Sequence, residues 1–243
     1  GTEKVEQEVH RLFPEARTLR MDRDTTSKKN SHEQILESFG RGDADILIGT
    51  QMIVKGHDFS RVTLVGVLLA DLTLFSGDYR AGERTFDLLT QAAGRAGRGD
   101  VPGKVVIQTY KPDNYAITAA ASQDYRAFYD IEEAYRSLMR YPPEWNMMVI
   151  MGTGMDEEQL ANIMDRMYSL IRGKYINAGH LSVIGPSEPA ISKIKDVYRR
   201  VLYIKHRDYR MLVDVKDYVE EWLKENGEND VSVFFDLNPV NMY

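Results

Sequence analysis

Two arginines three residues apart, Arg95 and Arg98, close the stretch Gln91-Ala-Ala-Gly-Arg-Ala-Gly-Arg-Gly99 at the exit of a predicted helix. Guanidinium forks at that spacing can converge on one phosphate, because each is planar, permanently charged and matched to two phosphate oxygens. The same pair can stabilise the charge that develops as a terminal phosphoryl group departs. Gly94 and Gly97 carry no side chain and would leave the backbone open to close approach by a ligand. The plain alternative is a solvated helix terminus whose arginines complement its dipole. A second motif has to decide between the two.

That motif lies upstream. Asp45 to Gly49 reads as a short buried strand and runs directly into Thr50-Gln51-Met-Ile-Val-Lys-Gly56-His-Asp58-Phe59, an order of strand, polar switch, glycine and acid. Val62 to Ala70 is a second apolar run of parallel-strand length, and Tyr79 to Ala93 is a helix-like segment that delivers Arg95 and Arg98. Loops of this kind are expected at the carboxyl ends of parallel strands, where open α/β sheets place ligands. Taken singly, Asp58 could be a loop residue making its own turn and Thr50 a strand terminator.

Taken in order, Ile48 to Phe59 and Leu89 to Gly99 resemble motifs V and VI of the second RecA-like lobe of superfamily 2 helicases. More narrowly, the chain resembles the primosomal protein N′ family of bacterial replication-restart helicases nearly end to end. The further residues that carry this are Gly1-Thr-Glu-Lys-Val-Glu6, Asp22-Arg-Asp-Thr-Thr26, Tyr79-Arg-Ala-Gly-Glu-Arg-Thr85, Ile107-Gln-Thr-Tyr110, Tyr141-Pro-Pro143 and Tyr198-Arg-Arg200. Glu144-Trp145 and the Leu69 to Ser76 loop depart from the family pattern. The resemblance implies that Arg95 and Arg98 reach the γ-phosphate of ATP and that Gln91 links this contact to the DNA side. It implies Asp58 near the nucleotide ribose, Gly56 in a tight turn, and Thr50, Gln51 and Thr25 facing DNA. It further implies 3′ to 5′ translocation at stalled or branched forks, primosome assembly, and single-strand-binding protein and primosome proteins as partners. ATP and magnesium would serve the full-length protein, and zinc a module outside this chain; neither is expected bound to this piece alone.

Half of an ATP site is missing from the residues. No Gly-x-x-x-x-Gly-Lys-Ser/Thr loop is present, and no Asp-Glu pair ends a predicted strand to hold magnesium. The chain opens on a helix-like segment with Val5, Val9, Leu12 and Phe13 at helical spacing and no strand ahead of it, as expected of the C-terminal piece of a longer protein. With 243 residues, 43% of them hydrophobic, it can bury one or two ordinary cores. No apolar run approaches the roughly 20 residues of a membrane span. The absence of cysteine excludes disulfides and thiolate metal sites and fits a cytoplasmic location. The five histidines show no metal-ligand spacing, and His57 reads as a loop residue.

The net charge of −6 argues against a uniformly basic nucleic-acid binder, but its distribution is uneven. From Ile191 to Arg210, seven basic side chains, among them Lys193, Arg199 and Arg200, face two acidic ones, a local +5 interleaved with Tyr198, Tyr203 and Tyr209. Such an island can pair phosphates with cations and bases with rings. It reads equally as a half-buried strand, Val197 to Lys205, with tyrosines inward and arginines outward. A boundary is expected near Tyr141-Pro-Pro143, giving a RecA-like parallel-sheet lobe over 1–140 and a smaller α+β domain over 141–243. In the lobe, Arg17 to Met21 and Lys104 to Tyr110 complete the strands, Ser31 opens a capping box, and Asn114 to Met139 forms one helix or two with Ala119, Tyr125, Phe128, Ile131, Tyr135 and Leu138 on its apolar side. Beyond the prolines the elements follow the order βαββαβ, a ferredoxin-like sequence. A different class of function, a non-catalytic DNA- or protein-binding module, and a fork-remodelling translocase are the competing readings.

Overall fold

The computed structural model describes residues 1–26, 31–54, 59, 61–97, 102–177, 179–228 and 230–243. They form two compact units, one from 1–75 and 82–128, the other from 76–81 and 129–243.

In the first unit, α1 (Thr2–Leu12) precedes β1 (Thr18–Met21), and α2 (Ser31–Arg41) leads to β2 (Ile46–Gly49). β3 (Leu64–Val67), α3 (Ala81–Ala93), β4 (Lys104–Ile107), α4 (Tyr115–Ser122) and the start of α5 (Tyr125–Leu138) follow. β1 pairs with β2 and β3 with β4, both parallel, and the described strands form these two pairs rather than one sheet. The strands are shorter than their apolar runs. After Val67 the chain turns through left-handed Leu69 (φ 53°) into a short 3-10 turn, Ala70–Leu72, and the Ala70 amide bonds the Gln108 carbonyl at 3.0 Å.

α3 buries Phe86, Leu89 and Ala92, one stripe at helical spacing. Phe86 and Leu89 meet Ala116, Ile117, Ala119, Ala120 and Phe128, and the Phe86 and Phe128 rings stack at 4.3 Å. α4 and α5 are separate helices. Asn114 caps α4 by accepting from the Ala116 amide (2.9 Å), left-handed Gln123 (φ 54°) ends it, and Asp124 accepts from Ala127 N (2.9 Å) as α5 begins.

The expected apolar side is buried only in part. Ala119 of α4 and Phe128 of α5 are buried as expected, whereas Tyr125, Ile131, Tyr135 and Leu138 are exposed and Glu132 and Arg136 are buried in their place. Periodicity marks a stripe, but the neighbours decide which stripe is covered. Here Arg136 bonds Glu132 at 2.7 Å and lies 5.5 Å from the centre of the Tyr79 ring.

The second unit contains β5 (Asn146–Gly154), α6 (Glu157–Tyr175), β6 (Ser182–Ser187), β7 (Lys193–Ile194), β8 (Val197–His206), α7 (Tyr209–Asn226) and β9 (Val231–Leu237). Strand, helix, strand, strand, helix, strand is the order expected from the residues, with the two-residue β7 added. The sheet is antiparallel in the order β6-β8-β5-β9, and β7 pairs with β8 through a turn at left-handed Lys195 and Asp196. Asp156 and Asp208 cap α6 and α7. Met148, Ile150, Leu202 and Ile204 on the sheet meet Leu160, Ile163, Met164, Met167 and Ile171 of α6 and Leu212, Val215 and Val219 of α7. The methionines of α6 fill this core, as their helical spacing predicts.

Candidate functional site

Parallel pairing sets Met21 beside Gly49, so the turns that leave β1 and β2 begin at one edge. At Gly49 a Cβ would lie 2.5 Å from the Met21 carbonyl and 2.6 Å from the Ile53 side chain, so only glycine lets the chain fold back here. Thr50 and Gln51 follow, both exposed, and the Thr50 carbonyl accepts from Ile53 N (3.2 Å) as the 3-10 turn Gln51–Val54 starts. On the neighbouring turn, the Thr25 hydroxyl accepts from Asp22 N (2.9 Å) and donates to the Asp22 carbonyl (3.2 Å). The edge therefore gathers Thr25, Thr50 and Gln51, with the Thr25 hydroxyl already engaged in its own turn.

The organiser of that turn is Asp22, a buried carboxylate to which the residues alone assigned no separate role. It accepts from the Thr2 hydroxyl (2.6 Å) and from the amides of Thr25 (2.9 Å) and Asp24 (3.1 Å), with Arg20 at 3.0 Å. The Thr2 hydroxyl, then the Thr25 amide, and more weakly the Arg20 charge hold its carboxyl down at about 2. An acid followed by threonines three and four residues on is the signal that could have found it. Asp71 plays a similar part beyond β3. It is buried, accepts from the Thr109 hydroxyl (2.5 Å) and the Tyr110 amide (2.8 Å), and its carboxyl is pulled below the usual range mainly by the Thr109 bond.

The arginine turn lies at the opposite end of its strands from the one expected. α3 returns the chain to the start of the β3–β4 pair, where Gly97 N bonds the Val62 carbonyl (3.1 Å) ahead of β3. A helix that follows one parallel strand and feeds the next must travel back along the sheet, so its exit meets the amino ends. Gly94, Arg95 and Ala96 close the helix with amide bonds to Thr90, Ala92 and Ala93. Gln91 is exposed and Arg95 partly buried. Gly97 adopts φ +76°, and a Cβ there would lie 2.5 Å from Gly103 N. Its missing side chain thus admits the chain's own backbone rather than a ligand. Gly56, Asp58 and Arg98 lie outside the described residues.

The basic island is divided by its strand. β8 is central and covered in its middle on both faces, so Val201, Leu202, Ile204 and Lys205 are all buried and tyrosine-in, arginine-out does not describe it. Arg199 donates to the Ile191 carbonyl (3.1 Å) and reaches the Met151 sulfur (3.5 Å), whereas Arg200, on the other face, stands 3.9 Å from Glu157. Lys193 pairs with Asp196 (3.3 Å) and lies 4.4 Å from the centre of the Tyr198 ring. Lys205 turns inward, its Nζ 3.6 Å from the centre of the Tyr141 ring and donating to the Met139 carbonyl (3.2 Å).

Burial, assisted by repulsion from Arg140, pushes the Lys205 ammonium down to about 8. A folded value below the unfolded one penalises the charged form in the fold, so the penalty is complete below about pH 8 and is relieved as pH rises toward 10. The ring's attraction for the cation, up to about 2 kcal/mol when desolvated, opposes that gain. Between pH 8 and 10 the wild-type second unit should therefore gain on the order of 1 kcal/mol relative to Lys205→Met. Urea midpoints of both proteins across this window check it, and parallel curves would remove the lysine as the cause.

Among the described residues no group of three His, Cys, Asp or Glu side chains is placed to hold a metal ion, and no helix is long and apolar enough to cross a membrane. Residues 2–100 match the helicase conserved C-terminal domain, and residues 137–240 match the primosomal protein N C-terminal domain. Over 244 residues the chain is 42% identical to the replication restart protein PriA of Bacillus subtilis strain 168, an alignment covering all of this chain and 30% of that one. It is 35% identical over 242 residues to PriA of a Synechocystis species, covering all of this chain and 28% of the relative. With PriA of Chlamydia pneumoniae it shares 42% over 205 residues, 84% of this chain and 27% of the relative. The chain thus spans a little under a third of the length of these relatives.

Proposed function

This chain belongs to the PriA family of replication restart proteins, and from that premise we propose that it supplies one wall of an ATP-dependent 3′ to 5′ DNA helicase acting at stalled or branched forks. The observation that carries this reading is the exit of α3, where Gln91 and Arg95 leave the helix inside the stretch matching the helicase conserved C-terminal domain. Arg95 and Arg98 approach the γ-phosphate, Gln91 connects them to the DNA side, Asp58 meets the ribose, and Gly56 permits the turn between. Thr50, Gln51 and Thr25 line the DNA path from the β1–β2 edge. Closure of a cleft on ATP brings the arginines to the phosphate, and its release after hydrolysis resets the grip on the strand. The β- and γ-phosphates, magnesium and a zinc module are held by groups outside this chain, single-strand-binding protein and primosome proteins are the protein partners, and the setting is the cytoplasm.

Direct measurement separates a motor wall from a self-sufficient module. This chain alone should hydrolyse ATP no faster than buffer, whereas the intact protein should be stimulated by branched DNA. Turnover by the isolated chain would overturn the division of labour.

We read the second unit as ferredoxin-like from its strand order and as an accessory DNA-binding domain from Lys193, Arg199 and Arg200. The double variant Arg199→Ala/Arg200→Ala should then weaken binding of forked or single-stranded DNA without regard to sequence. The slope of log affinity against log salt should shrink by about 0.7 to 0.9 for each phosphate that the variant no longer neutralises. Unchanged affinity and slope in a normally folded variant would leave the two arginines as parts of the strand packing described above.

A further inference from the structure

The sheet of the second unit has two faces, and the basic island is split between them. Met148, Ile150, Leu202 and Ile204 turn to α6 and α7, as do Val233 and Phe235 of β9. Side chains alternate along a strand, so Arg199, Thr153, Met151, Ser232 and Phe234 share the opposite face. Pairing sets Arg199, Thr153 and Ser232 in one row across β8, β5 and β9, with Val201, Met151 and Phe234 in the next. Arg200 projects from the helix side, toward Glu157. Lys193 belongs with it, because it pairs with Tyr198, which packs against the helix-side core.

Phe234 is 59% exposed, although Val201 and Met151 in the same row are buried. Arg199 reaches the sulfur of Met151 (3.5 Å), the residue paired with Phe234, and donates to the Ile191 carbonyl (3.1 Å). Those two bonds fix the plane of a guanidinium that carries five N–H donors. β8 and β9 flank β5, so Arg199 and Phe234 stand about 10 Å apart across the sheet, and the lean of the arginine toward Met151 shortens the gap. Thr153 and Ser232 add hydroxyls beside them. The acid on this face, Asp236, lies on the far side of Phe234 from the Arg199 row and accepts from the Tyr243 hydroxyl (2.7 Å). A ring with a guanidinium and hydroxyls next to it suits a base and its phosphate, and the ring meets only a base that is out of the duplex stack.

We propose that the sheet face of the second unit at Phe234 and Arg199 is a stacking site for single-stranded nucleic acid. The ring of Phe234 carries a base, and Arg199 holds the adjoining phosphate. This rests on the reading of the unit as an accessory DNA-binding domain and narrows it in two respects: the strand lies on one face, away from Arg200 and Lys193, and the bound form is unpaired.

Fluorescence anisotropy of this chain with a labelled oligothymidylate of about 12 nucleotides, and with a hairpin duplex, tests it. Phe234 is exposed, so its replacement leaves the core closed. Phe234→Ala should weaken single-strand binding about ten-fold and leave duplex binding unchanged. Phe234→Tyr should bind like wild type, and Phe234→Leu, which keeps apolar area but no ring, should resemble alanine. Arg199→Ala should weaken single-strand binding and reduce its salt slope by about 0.7, whereas Arg200→Ala should change neither. Full affinity in Phe234→Leu, equal losses on single strand and duplex, or an Arg200→Ala defect as large as that of Arg199→Ala overturns the proposal. If Arg199→Ala/Arg200→Ala weakens binding and Phe234→Ala does not, the accessory domain stands and the stacking site fails. If that double variant is silent, the accessory-domain reading fails and takes the stacking site with it.

Discussion

Alanine in place of Arg95 or Arg98 should reduce ATP turnover of the intact protein by about 10³ to 10⁵, the range that arginine fingers contribute to phosphoryl transfer. The loss should fall on kcat, because the interaction strengthens as charge develops on the departing phosphoryl group and is weaker in the ground state. DNA affinity should remain close to wild type, since neither residue belongs to the β1–β2 edge where Thr25, Thr50 and Gln51 gather. Lysine at either position should rescue little, because it offers a point charge where a planar fork is needed. Steady-state ATPase rates with saturating branched DNA decide the matter. A variant that hydrolyses ATP within a few-fold of wild type would remove that arginine from the reaction.

Phe86→Ala should have the largest effect on the scaffold. The ring is 4% exposed, stacks on Phe128 at 4.3 Å and shares its core with Leu89 and the alanines of α4. Truncating it removes both the transfer gain and the packing of that stack, about 3 to 5 kcal/mol in a site that cannot collapse around the void. With a urea dependence of about 1 to 3 kcal/mol per molar, the midpoint of the first unit should fall by roughly 2 M. Phe86→Leu should recover most of the loss. If the midpoint moves by less than about 0.5 M, the α3–α4–α5 cluster does not hold this unit together.

The residues by themselves determined the kinds and order of the elements and the family. Short apolar runs bounded by Gly49 and by Lys104 mark strands, because period, length and turn chemistry are local properties; the two compact units divide between Phe128 and Tyr129, inside α5, rather than at the Tyr141-Pro-Pro143 break. The spacing of Gln91, Arg95 and Arg98 is likewise local, and it identifies the arginine turn without a structure. The alternation of elements beyond Tyr141 was legible for the same reason.

Only tertiary structure decided which side of an element is covered and what each polar group meets. α5 carries an apolar stripe of Ile131, Tyr135 and Leu138, yet it buries Glu132 and Arg136 because Tyr79 supplies a ring for the guanidinium. β8 looked like a strand with one wet face, and being central in the sheet it has none at Val201, Leu202, Ile204 and Lys205. Gly97 looked like room for a ligand and is room for Gly103. Asp22, Lys205 and Tyr79 acquire their roles from partners 20, 66 and 160 residues away in the chain. A pattern confined to neighbouring residues reports backbone preference, whereas burial and pairing are settled by whichever distant groups the fold brings within a few ångströms.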